Sequence, residues 1–221
     1  MIVFKYCDIE RPFEFEPGRI YDLVIENPAF LYRFVNDLRE CEEEALFFSK
    51  EGLLLDAKNQ YVIVTDPYVA DANAKKSLSL IYKNSEKRYL NEVRRERLLS
   101  IGEEITSFLT EISFDFDMPM VFKEEITLAD ILDMCDFRVS TDFSTMESRI
   151  LSLLKMIREI SQTKFVFIVG FLDMIEAQRM DAFLAEVAYL DMTLVNISSR
   201  TSNHRKDRII TYVIDDNLCE F

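Results

Sequence analysis

The side chains that could do chemistry fall into four groups. The first is the turn Glu26-Asn27-Pro28-Ala29, which follows the apolar run "IYDLVI". It stands where a nucleotide hydrolase carries its phosphate loop. Such a loop needs glycines, so that backbone N–H groups can cradle phosphate, followed by Lys and Ser or Thr. This turn has neither Gly nor Lys, and Glu26 puts a carboxylate where phosphate would lie. An ordinary strand-to-helix turn is the expectation. Asp66 ends the run "YVIVTD" as a magnesium-binding Asp would, and Asp173 lies just past "FVFIVG". Without a phosphate loop neither has a partner, and Asp173 reads as a helix-start residue favoured by the dipole. The only histidine, His204, sits in the polar segment "SRTSNHRKDR" and reads as a solvated loop residue. That leaves no Ser-His-Asp or Cys-His constellation, and HExxH, GxSxG and DxDxDG-type patterns are absent. The chain is expected not to be an enzyme.

The second group is basic. Lys75, Lys76, Lys83, Lys87, Arg88, Arg94, Arg95 and Arg97 stand against Glu86, Glu92 and Glu96, a local charge of +5 in a chain of net charge -14. On a helix, positions 76, 83, 87 and 94 lie close to one face. A stripe of this kind can follow a DNA backbone through phosphate contacts, which give affinity without reading sequence. It can also be a solvated face with local ion pairs. Lys155, Arg158 and Lys164 form a third, weaker basic group. The fourth is acidic: Asp115, Asp117, Glu124 and Glu125. Alternate carboxylates on an extended segment, with two more beyond a proline turn, offer hard oxygen ligands of the kind calcium accepts in irregular geometry. They are no EF-hand, and on sequence alone a solvated acidic loop is the simpler account of them.

The surroundings limit these readings. Forty Asp and Glu against 26 Lys and Arg create a field that repels nucleic acid and anionic membrane at long range. DNA contact therefore needs a local cationic patch and cations to quiet the rest. Cys7, Cys41, Cys135 and Cys219 are scattered, with no CxxC pair, and read as reduced thiols of a cytoplasmic protein. The N-terminus lacks a signal-peptide layout, and apolar runs such as "FVFIV" are too short to span a bilayer, so no membrane association is expected.

The positioning elements follow from periodicity. "IVFKY" and "FEFE" read as strands, Pro17-Gly18 as a turn, and "IYDLVI" as a buried strand leading into a helix capped by Asn27, with Pro28 at its first position. "ALFFS", Gly52 and "LLLD" read as a hairpin, and "YVIVTD" as a strand in one sheet with the first buried one. From Ala72 to about Ile112 an unbroken helical period predicts one long helix, or two with a break in the 90s. Thr127 caps the short helix "LADILDMC", and Ser144 with Glu147 forms a capping-box signature for a helix running to Ser161. Strand "KFVFIVG", helix "DMIEAQRMDAFLAEVAYL", and strands "MTLVNIS" and "RIITYVI" complete the pattern. The expectation is an α/β fold with a largely parallel sheet, its head built from residues 1–70 and 161–221, and a helical leg inserted over 71–160.

In the order and spacing of "YVIVTD", the charged helix after it, "FDFDMPMVFKEEITLADILDMCDFRV", "KFVFIVGFL" and "MTLVNISSR", the chain resembles the ring-forming, Csn-type DNA-end-binding adaptation proteins of type II-A CRISPR systems. The resemblance runs over nearly the whole length, and "EEITLADILDM" after an acidic segment is its most specific part. It implies a homotetrameric ring whose subunits have a degenerate P-loop-NTPase-like head and a helical leg. It implies calcium as a supporting ion and linear double-stranded DNA in a positively lined hole. It further implies work in spacer acquisition beside the integrase and effector proteins of the same system, with no catalysis. Under it the basic residues Lys75, Lys76, Lys83, Lys87, Arg88, Arg94, Arg95 and Lys164 are candidates for DNA contact, and Asp115, Asp117, Glu124 and Glu125 for the metal. Two other readings stay open: a nucleotide-dependent enzyme with an unrecognised phosphate loop, and an acidic protein-interaction module without DNA contact.

Overall fold

Runs of consecutive apolar residues form strands where both faces of the sheet are covered, and this chain uses two such runs in that way. The computed structural model describes residues 1–140, 144–161, 163–202 and 208–221. It divides into two units, Met1–Asp71 with Thr141–Phe221, and Ala72–Ser140. The first begins with β1 (Ile2–Tyr6), β2 (Phe13–Phe15), β3 (Ile20–Ile25), α1 (Pro28–Glu40), β4 (Leu46–Lys50), β5 (Leu53–Leu55) and β6 (Tyr61–Val64). The second holds α2 (Lys75–Tyr89), α3 (Glu92–Ser113) and α4 (Leu128–Met134). The chain returns to the first with α5 (Met146–Ile160), β7 (Phe165–Val169), α6 (Met180–Leu190), β8 (Thr193–Ser198) and β9 (Ile210–Ile214).

A wholly parallel five-stranded sheet, ordered β6-β7-β8-β3-β9, forms the centre of the first unit. All six residues of β3 are buried between β8 and β9, which explains why "IYDLVI" shows no alternation. A second, antiparallel sheet is ordered β2-β1-β4-β5. Its strands do alternate: Phe4 and Tyr6 of β1, Phe13 and Phe15 of β2, and Leu46 and Phe48 of β4 face the core. The two sheets meet through aromatic rings. Phe4 contacts Phe167 at 5.6 Å, Phe48 contacts Phe165 at 6.0 Å, and Phe15 contacts Phe165 at 4.9 Å between centroids. Such pairs contribute about 1 kcal/mol each beyond their area, which accounts for much of the use of Phe in this chain. Helix α1 adds Phe30, Phe34 and Leu38, one turn apart, to the same core. In the β4–β5 hairpin, Glu51 and Gly52 both take positive φ, 52° and 80°, as a tight two-residue turn requires.

In the second unit the predicted break falls at Leu90, whose backbone is extended, and Asn91 caps α3 by accepting from the Arg94 N–H at 2.9 Å. The inward face of α3 is Leu98, Gly102, Ile105, Leu109 and Ile112, the spacing of a packed helix. At Gly102 an added Cβ would lie 3.4 Å from Ile126, at van der Waals contact, which marks the close packing of this face. Helix α4 starts with a capping box between Thr127 and Asp130. The Tyr82 hydroxyl of α2 donates to the Phe137 carbonyl at 2.7 Å.

Three sequence expectations need correction. The leg expected over 71–160 is longer than the helical unit, which ends at Ser140. Helix α5 buries Ile150, Leu154 and Ile157 in the first unit and packs on α6; periodicity shows that a helix has an apolar face, not which core receives it. The cap of α5 is Thr145 with Ser148, not Ser144 with Glu147. The helix starts one residue later than expected, and Glu147 instead accepts from the Arg179 guanidinium at 2.8 Å. Finally, 173–190 is not one helix. A 3-10 turn at Leu172–Met174 ends in extended Ile175, and α6 begins only at Met180.

Candidate functional site

At the β3–α1 turn, Asn27 has extended backbone, and its side-chain oxygen accepts from the N–H groups of Ala29 (3.1 Å) and Phe30 (3.0 Å). Its Nδ2 donates to the Asp216 carbonyl at 3.1 Å. A phosphate at a helix start is held by free amides. Here those amides are bonded by the helix's own cap. Asp66 accepts from the Tyr68 N–H at 2.9 Å, closing a local turn, and Asp173 is exposed in the first turn of the 3-10 segment.

A polar centre that sequence reasoning missed lies deeper in the same sheet. Asp22, 1 % exposed, is the register partner of Asn196 on β8. It accepts from Asn196 Nδ2 at 2.7 Å, Ser198 Oγ at 3.3 Å and the Ser202 N–H at 3.3 Å. Asn196 Oδ1 in turn accepts from the N–H groups of Phe171 (2.9 Å) and Leu172 (3.3 Å). Burial raises the Asp22 carboxyl above its ordinary pKa, against the lowering effect of these hydrogen bonds. The signal was present: "IYDLVI" and "TLVNIS" are each interrupted by one strongly polar residue. No buried side-chain nitrogen or oxygen among the described residues lacks a partner, so the cluster ties β3, β8 and the turn after β7 together.

The basic stretch divides at the helix break. Lys75, Lys83, Lys87 and Arg88 are exposed on α2, with Lys83 and Lys87 one turn apart and away from buried Tyr82. Lys76 lies on the same helix; its side chain is outside the described set. Arg94 and Arg95 lie beyond the break, so the stripe is not one continuous helix face. Arg94 donates to the Tyr89 carbonyl at 2.8 Å, placing a cation at the carbonyl end of α2, where the helix dipole favours it. In the first unit Lys164 is paired with Asp191, and Lys155 lies 3.9 Å from Glu186. His204 lies outside the described residues.

Asp115, Asp117, Glu124 and Glu125 are all exposed. Glu124 and Glu125 line an open groove of about 610 Å³ beside α3, with Glu103, Thr106 and Thr110; Asp115 and Asp117 do not reach it. Among the described residues no three His, Cys, Asp or Glu side chains converge to hold a metal. The donor chemistry suits calcium, but the described residues of one chain do not complete a coordination shell. All four cysteines are free thiols. No helix among the described residues is long and apolar enough to cross a membrane.

These features define a mixed α/β protein with a parallel sheet whose phosphate-loop position is closed by its own cap, and with an inserted helical unit on which Lys75, Lys83, Lys87 and Arg88 are exposed. The family model described as CRISPR-associated protein (Cas_Csn2) matches residues 39–218. The chain therefore belongs to the CRISPR-associated Csn2 family, and its role lies in CRISPR adaptation. None of the curated proteins matches it. Among solved structures it is similar to a protein described as an ABC-transporter ATP-binding protein from Pyrococcus furiosus, at 10% identity over 95% of this chain and 96% of that one, with a TM-score of 0.42.

Proposed function

We propose that this protein is a non-catalytic, calcium-dependent homotetrameric ring that binds linear double-stranded DNA, ends included, without sequence preference, and that it serves spacer acquisition in a type II-A system beside that system's integrase and effector proteins. The observation that carries this reading is the exposed face of α2 with Lys75, Lys83 and Lys87 in a chain of net charge -14. A compact cationic face suits phosphate contact, and phosphate contact carries no sequence information. Assembly answers the charge problem. Several copies turning scarce cations toward one duplex concentrate positive charge, while divalent ions offset carboxylates elsewhere. The helical unit also exposes Phe114, Phe116, Val121 and Phe137, apolar surface of the kind that marks interaction sites. Calcium enters through Asp115, Asp117, Glu124 and Glu125, and since none of these sets converges within one chain, carboxylates from more than one copy complete the shell.

The test is a gel shift on linear and on closed circular duplex, with calcium or EDTA, across a salt series. The reading expects calcium-dependent binding to linear duplex of any sequence, weakening steeply with salt. Binding that ignores salt, or a lone subunit indifferent to calcium and duplex, overturns it.

A further inference from the structure

Helix α3 carries a second stripe beside its packed side: Val93, Arg97, Ser100, Ile101, Glu104 and Phe108, all exposed, with Arg97 and Ile101 at the edge of a groove shared with Leu128 and Ile131 of α4. Val93 is 73 % and Phe108 61 % exposed, so the stripe carries a large apolar side chain at each end. The charges of the helix are also uneven. Arg94, Arg95 and Arg97 outnumber Glu92 and Glu96 in the first half, and Glu103, Glu104 and Glu111 stand without a cation in the second, although Glu92 suits the first turn. An isolated helix favours the opposite arrangement, with anions at its N-terminus and cations at its C-terminus. An antiparallel neighbour of the same sequence removes that conflict, because each cationic half then lies along an anionic half and the two dipoles oppose.

We infer that α3 pairs with α3 of a second copy, antiparallel about a two-fold axis passing near Ser100 and Ile101. In this register Val93 of one copy meets Phe108 of the other, and Arg97 meets Glu104, each contact occurring twice as two-fold symmetry demands. The seam runs ~24 Å at 1.5 Å per residue. A register shifted by one heptad would set Glu104 against its own copy on the axis, so charge selects the first alignment. The inference rests on the ring reading and names one of its contacts.

The experiment is mass measurement by light scattering on the full chain, with gel shift on linear duplex in parallel. The wild type is expected at a multiple of the 26.0 kDa chain mass. R97E and E104R are each expected to halve the assembled mass, F108D to do the same, and the R97E/E104R double variant to restore it, with far-ultraviolet circular dichroism unchanged throughout. Assembly that persists in R97E and F108D overturns this contact and leaves the ring reading standing. A double variant that stays split while folded also overturns it. A wild type at single-chain mass overturns both.

Discussion

Asp22 and Asn196 face each other across the β3–β8 pair, the amide donating to the carboxylate at 2.7 Å inside a sheet that excludes water. Replacing Asp22 by Ala removes the acceptor of the buried Asn196 amide, while Ser198 keeps its bond to the Arg200 carbonyl at 2.9 Å. An unsatisfied buried donor costs about 1–3 kcal/mol, so D22A should lose about 1–3 kcal/mol in urea unfolding. D22N keeps one acceptor oxygen and should lose less. A loss below about 1 kcal/mol in D22A would show that water fills the site.

Two aspartates give pH effects of opposite sign. Asp130 is held at a pKa of about 2, against an ordinary 3.8, chiefly by its hydrogen bond from Lys123 and then by those from Thr127. Its contribution is present above 3.8 and lost as pH falls toward 2. Asp22 is raised by burial, so in the folded state it keeps its proton to higher pH than in the unfolded chain. Its contribution is full below 3.8 and lost as pH rises through the raised folded value. Stability profiles of D130N and D22N should therefore differ from the wild type with opposite slopes in acid; parallel profiles would contradict both assignments.

Lys83→Ala with Lys87→Ala should weaken linear-duplex binding at moderate salt at least tenfold. Each phosphate contact contributes about 0.9 to the log–log salt slope, so the slope should fall in magnitude by about 1.8 per contacting subunit. An unchanged slope removes α2 from the interface.

Arg94 was a candidate for DNA contact and is also the cation at the end of α2. R94A should cost about 1 kcal/mol of stability through the lost Tyr89 cap. Should R94A instead weaken DNA binding with its melting temperature intact, the guanidinium belongs to the duplex.

EDTA should lower the melting temperature or the assembled mass of the wild type, and calcium should restore it. The D115N/D117N variant should lose that response; a full response in this variant assigns the ligands elsewhere.

The parallel strands were legible because burial on both faces writes itself as unbroken apolar runs, and the α2–α3 break was legible to within a few residues. What sequence left hidden depends on tertiary choice. The apolar face of α5 fits either core equally well on paper, and only packing on α6 decides between them. Thr145 outcompetes Ser144 as cap by a shift of one residue, below the resolution of a pattern. The Asp22–Asn196 pair needed the β3–β8 register, which no single strand reveals. For the basic stretch, sequence placed the cations on helices but did not show that Arg94 turns back to close the end of α2.

The Asn27 cap carries a local consequence. Because Ala29 and Phe30 are bonded to it, an anion could reach these two amides only by displacing the side chain that starts α1, so occupancy of the turn would be coupled to fraying of that helix end.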